Sequence, residues 1–153
     1  MMLDELYVAK GIDPVADALA GTKYSDVFDL SLFNKLVFLI HKGVGATGVS
    51  TITARAYSST DPSTADTAIP FRYKAVTSGD TQGAVTQADT TGFALTAGSS
   101  QVYAIEIDSQ AAASAGLKYV YLKAVESVDS PVLAGITVLG WPKHAPIGES
   151  AID

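Results

Sequence analysis

The chain has 153 residues, 48% of them hydrophobic and 17% charged, with 16 acidic against 10 basic side chains and a net charge of −6. One domain of this length buries roughly two-thirds of the surface its unfolded chain exposes, so a core forms without disulfide or metal staples. The absence of cysteine excludes disulfide frameworks, thiol nucleophiles, iron–sulfur clusters and cysteine-based zinc sites, and the acidic balance argues against nucleic acid or an anionic membrane as partner.

Residues 1–23 scatter Leu3, Leu6, Tyr7, Val8, Ile12, Val15 and Leu19 between Gly11, Asp13-Pro14 and Gly21, which reads as an N-terminal arm with one helical turn near Asp13–Leu19. The start lacks the positive charge and apolar run of a signal peptide. Residues 24–140 read as a β domain. Tyr24–Leu30 alternates, and Asn34–Lys42 carries the block Leu36-Val37-Phe38-Leu39-Ile40, expected to be a strand buried on both faces. At five residues this longest apolar block is far short of the roughly 20 that span a bilayer.

Val49–Tyr57 sets Ile52, Ala54 and Ala56 against Thr51, Thr53 and Arg55, a strand with its small residues inward. Asp61-Pro62-Ser63 marks a polar loop. Ile69–Thr77 alternates Phe71, Tyr73 and Ala75 with Arg72, Lys74 and Val76, a strand with one wet face; Pro70 puts its start at an edge. Ser78–Gly92 is a long excursion or two weak strands turning near Gln82-Gly83, and Phe93 and Leu95 hint at another short strand. Val102–Asp108 alternates again, Ser109–Gly116 makes one helical turn closed by glycine, and Leu117–Val125 and Pro131–Leu139 complete seven or eight strands. Trp141-Pro142-Lys143-His144-Ala145-Pro146 opens an extended tail, 141–153, in which neither helix nor ladder propagates. Many short strands without a long amphipathic helix predict an all-β antiparallel sandwich.

Chemistry-bearing motifs are sparse. Gly43-Val44-Gly45-Ala46-Thr47-Gly48 has the spacing of a dinucleotide loop, but the β-branched run Val49-Ser50-Thr51-Ile52-Thr53 follows where a helix must open, so it reads as a hairpin turn. His41 and His144 lie far apart with no local ligand partner. No nucleophile elbow is present. Asp80 and Asp89 lack the spacing of a calcium loop. These features predict no enzyme, no cofactor and no metal. Lys118, Lys123 and Tyr119-Val120-Tyr121 are those of a half-buried strand whose lysines deter edge pairing. Ala, Ser, Thr and Gly occupy 64 of the 153 positions, and a surface so poor in charge suits coverage by other molecules. Apolar side chains in an arm point the same way, and Trp141 past the last strand reads equally as a core plug or an interface anchor; Leu3, Leu6, Tyr7, Val8 and Trp141 are the candidate interface residues.

The order of features, from Gly21-Thr22-Lys23-Tyr24-Ser25-Asp26-Val27 through Asn34-Lys35-Leu36-Val37-Phe38 and the Gly43–Gly48 loop to Gly135-Ile136-Thr137-Val138-Leu139-Gly140 and Lys143-His144-Ala145-Pro146, resembles the small head decoration, or cement, proteins of tailed bacteriophages. That resemblance implies a jelly-roll-like sandwich made in the host cytoplasm. On the capsid exterior it would form homo-dimers or homo-trimers and staple neighbouring major capsid protein subunits through its terminal segments. A phage tail or head–tail connector protein is an alternative. A carbohydrate-binding sandwich is another, in which Tyr57, Tyr73, Tyr103, Tyr119 and Tyr121 would form an exposed stacking row.

Overall fold

Period-two patterning resolves into twelve strands among the described residues of a computed structural model, which describes residues 5–44, 47–58 and 65–144. They form two antiparallel sheets. The first runs in the order β1 (Tyr7–Val15), β12 (Ala134–Pro142), β4 (Phe33–Lys42), β10 (Gln101–Asp108), β7 (Phe71–Val76), β8 (Thr86–Ala88). The second runs β2 (Thr22–Tyr24), β11 (Tyr119–Val128), β5 (Val49–Tyr57), β6 (Thr67–Ile69), with β3 (Phe28–Asp29) beside β11 and β9 (Phe93–Ala94) beside β5. The all-β antiparallel sandwich expected from the sequence is the fold observed.

Alternate side chains from the inner faces of both sheets make the core. Leu36, Phe38 and Ile40 from β4 and Ile105 and Ile107 from β10 are fully buried, as are Ile52, Ala54 and Ala56 from β5. Phe28 meets Phe38 edge to face at 5.7 Å. The small residues of β5 let the sheets approach while the phenylalanines fill the space opposite. At Gly140 of β12 a Cβ would overlap the ring of buried Phe33, so this glycine serves close packing.

Four expectations need correction. β4 is not buried on both faces: its odd positions Val37 and Leu39 face outward and are half-covered, because a two-layer sandwich covers each sheet on one side only. The Tyr24–Leu30 strand is broken in two, since Ser25 leaves the pleat to exchange bonds with Leu122, its amide donating to the Leu122 carbonyl and its Oγ accepting from the Leu122 amide, both at 2.9 Å. The final strand begins at Ala134, because Val132 is tied to the 17–18 turn, its amide donating to Asp17 Oδ1 and its carbonyl accepting from Ala18.

The fourth correction concerns the arm. Tyr7 to Val15 pair along β12, from Tyr7 opposite Gly140 to Val15 opposite Ala134, with irregular register around Gly11 and before Val15. Tyr7 packs on Phe33 at 5.4 Å, and Ala18 and Leu19 enter the core. Gly11 and Pro14, which look like breaks in the sequence, are accommodated as bulges because a sheet edge tolerates both. Trp141 and Pro142 likewise belong to β12. The rest of the expected tail from 145 onward, and Leu3 of the arm, lie outside the described residues.

Between β10 and β11 the predicted helical turn is α1 (Ser109–Ala113), capped by Asp108, whose carboxylate accepts from the Gln110 amide at 2.8 Å, and followed by Gly116 at φ 70. Aspartate at the N-cap and a left-handed glycine after the last turn are what bound so short a helix.

Candidate functional site

The outer face of the first sheet is built by residues that alternate with the core. Val8 of β1 stands opposite Leu139 of β12, Leu139 opposite Val37 of β4, and Leu39 opposite Ala104 of β10. Further along β10, Val102 stands opposite Val76 of β7. With Trp141, two residues beyond Leu139, these side chains form an apolar band across five strands. Val8 is 56% and Trp141 37% exposed, and the central members are half-covered. A solvent-facing sheet side normally carries polar residues, so a band of this width is a feature of surfaces that meet partners.

At one end the band sinks into a groove of about 440 Å³ with Val37, Ala104 and Val85 as apolar lining and Trp141 as a wall. Lys35, Arg72, Lys74 and Glu106 line the same groove. The Glu106 carboxylate is shared between Arg72 and Lys35, the latter at 3.6 Å. Lys35 Nζ also lies 4.7 Å from the centroid of the Trp141 ring, which holds the indole upright by cation–π attraction. Lys74 donates to the Gln82 amide oxygen at 2.9 Å. The groove thus holds three cations and one carboxylate, two of the cations paired with it.

The outer face of the second sheet is arranged differently. Arg55 of β5 donates to Asp66 through Nε at 3.0 Å and Nη2 at 2.5 Å, and the Tyr121 hydroxyl donates to the same carboxylate. The hydrogen bond from Arg55 holds the Asp66 carboxyl at about 2. Burial and the adjoining carboxylate push the Tyr121 phenol up. Tyr57 and Tyr121 are only 4% and 5% exposed, lying beneath this network. Lys118 bridges to Asp29 at 2.9 Å; burial raises the Asp29 carboxyl, but bonds from Lys118 and Ser31 outweigh it and hold it below the usual carboxylate range. The polar groups here are spent on each other.

The structure separates the candidate interface residues. Val8 and Trp141 lie on the outer face of the first sheet, whereas Tyr7 packs on Phe33 from the core side and Leu6 is half-buried. The band's other members went unsingled in the sequence, although the alternation of Arg72 and Lys74 with Phe71 and Tyr73 already put two basic residues on one face. Lys42 was also missed. It is fully buried, donating to the Thr96 carbonyl at 2.7 Å and to Gln101 Oε1 at 3.3 Å, and desolvation lowers its pKa.

The remaining motifs have structural roles. A Cβ at Gly48 would overlap the Ser130 carbonyl, so the glycine of this loop admits the β11–β12 connection rather than a pyrophosphate. Asp89 accepts from the amide and hydroxyl of Thr91 in a tight turn. Among the described residues no group of three His, Asp or Glu side chains gathers to hold a metal ion. The five tyrosines of the stacking row do not share a surface: Tyr103 is in the core and Tyr73 stacks on Phe93 at 3.9 Å beside it, while Tyr57, Tyr119 and Tyr121 belong to the far side of the second sheet.

No family model and no curated protein matches the chain. Among solved structures, the crystal structure of SPBc2 prophage-derived protein YomS is similar over 88% of this chain and 89% of that one, at 16% identity and a TM-score of 0.44. The structure of infectious bursal disease virus Gx strain is similar over 88% of this chain and 40% of that chain, at 12% identity and a TM-score of 0.25. Neither likeness is close enough to assign a role.

Proposed function

We propose that this chain is a structural virion protein that decorates the outside of a phage head and staples neighbouring major capsid subunits noncovalently. The observation that carries the reading is the apolar band of Val8, Leu139, Val37, Leu39 and Ala104 on the outer face of the first sheet. Such a band runs across several strands, which suits another protein surface better than a small substrate. The resemblance of the order of sequence features to that of cement proteins supports the same role. Stapling follows from repetition: once one contact holds, each further contact to the lattice is effectively intramolecular, so modest interfaces sum to slow release.

The test is to mix purified protein with empty expanded heads of the phage whose genome encodes it. Co-sedimentation, with heads made more resistant to heat or chelator, is the expected result. Protein left in the supernatant at every concentration and salt overturns the reading, and binding to isolated tails instead moves the chain to the tail or connector class.

A further inference from the structure

We propose that the groove at the basic end of the band receives residues 145–153 of a second copy of this chain. The inference deepens the reading above by naming one contact through which copies join. The groove has three cations, Lys35, Arg72 and Lys74, against the single carboxylate of Glu106. In a chain whose net charge is −6, this is a local surplus of positive charge beside an apolar floor. It fits an occupant that carries carboxylates and aliphatic side chains together.

Residues 145–153 read Ala-Pro-Ile-Gly-Glu-Ser-Ala-Ile-Asp. This segment has two carboxylates, Glu149 and Asp153, two isoleucines and no base, and so complements the groove in both charge and apolar character. Its length is sufficient to line the groove: nine residues extend up to about 30 Å, while the five strands from β12 to β8 span about 19 Å at the spacing of neighbouring strands. The direction of β12 favours exchange between copies. At Lys143 the backbone amide still donates to the Leu32 carbonyl at 2.9 Å, so pairing beside β4 runs on past Trp141 and the segment begins beyond the groove wall. Trp141, a wall of the groove, lies on the strand that carries the segment, so two copies related by a twofold axis would each give a segment and receive one.

Sedimentation velocity on the full chain without heads tests this. A reversible dimer that weakens in high salt is expected. Deleting residues 145–153, or making K74E, should each weaken it about tenfold or more. Adding R72E to K74E turns the groove's surplus of positive charge into a matching surplus of negative charge, so E149K and D153K on that background should restore much of the loss. Circular dichroism on each variant checks that the sandwich is retained. A monomer at all concentrations, a dimer that survives the deletion, or an R72E/K74E defect that the reversed segment does not repair overturns the proposal. Heads are absent from this experiment, so it fails independently of the decoration reading: a chain that dimerises through its segment yet ignores heads keeps this contact and loses that role.

Discussion

The outer faces of the two sheets differ in what they leave unspent. On the second sheet Asp66 is enclosed by Arg55 and Tyr121 and Asp29 is bridged by Lys118, so each carboxylate has its partner within the same chain. On the first sheet the apolar band lies open, and Lys35 and Arg72 share Glu106 while Lys74 bonds Gln82. A self-satisfied polar network stabilises the fold and offers little to a partner. An open band costs the free chain its hydration and recovers that cost only on association. The contrast predicts that mutations on the second sheet change stability, and mutations on the first change binding.

The largest effect belongs to Asp66→Ala. The substitution leaves the Arg55 guanidinium and the Tyr121 hydroxyl facing each other without their acceptor, both largely covered. Loss of a charged, partly buried bonding group is expected to cost about 3 kcal/mol, read as a lower urea midpoint at unchanged slope. Head binding should persist wherever the variant is folded. A cost under about 0.5 kcal/mol would show that solvent replaces the network freely and would erase the distinction between the faces.

The same carboxylate gives the next largest effect through pH. Asp66 titrates at about 2 in the folded chain against the ordinary aspartate value of 3.8. Its folded pKa is depressed, so the unfolded chain takes up the proton first as pH falls, and the stabilisation present above 3.8 is lost between there and about 2. The amount is about 2 kcal/mol. Stability measured from pH 6 downward should therefore fall on an acid limb that Asp66→Asn flattens.

The sequence made the sandwich legible because period two survives in β4, β5, β7 and β10, where Phe71, Tyr73 and Ala75 or Tyr103, Ile105 and Ile107 recur without interruption. It concealed β1 because Gly11 and Pro14 interrupt the pattern, and only the β12 partner, more than a hundred residues away, shows that they are bulges at an edge. The candidate site was half legible. Val8 and Trp141 stand out as apolar residues near chain ends, yet Leu139, Val37 and Ala104 look like ordinary core residues until the two-layer packing shows which side of each strand is covered. The basic groove is a product of register: Glu106 meets Arg72 across one ladder and lies within reach of Lys35 across the other, and no local pattern encodes that meeting.

Glu106→Gln probes the open face and is expected to be mild. Arg72 and Lys35 are 53% and 41% exposed at the side chain, and ion pairs of this kind contribute under about 1 kcal/mol. Removing the one carboxylate in the groove should leave the urea midpoint nearly unchanged and tighten self-association, since an acidic segment then meets only cations. A destabilisation as large as that of Asp66→Ala would mean that the first sheet, too, spends its charges internally.

The smallest effect on stability, and the sharpest on assembly, is expected at Val8. Its side chain is 56% exposed on an edge strand, so Val8→Ser should move the unfolding free energy by no more than about 0.5 kcal/mol. What the valine still exposes is available for burial against a neighbour, worth about 1 kcal/mol per contact at the usual value of apolar area. Because every copy attached to a lattice carries the same loss, the deficits add along linked contacts, and release from heads should quicken far more than one contact implies. Dissociation of labelled protein from decorated heads, followed over time for both proteins, measures the ratio. Equal rates would mean that the Val8 end of the band faces solvent in the assembled particle and that the contact lies further along, toward Leu39 and Ala104.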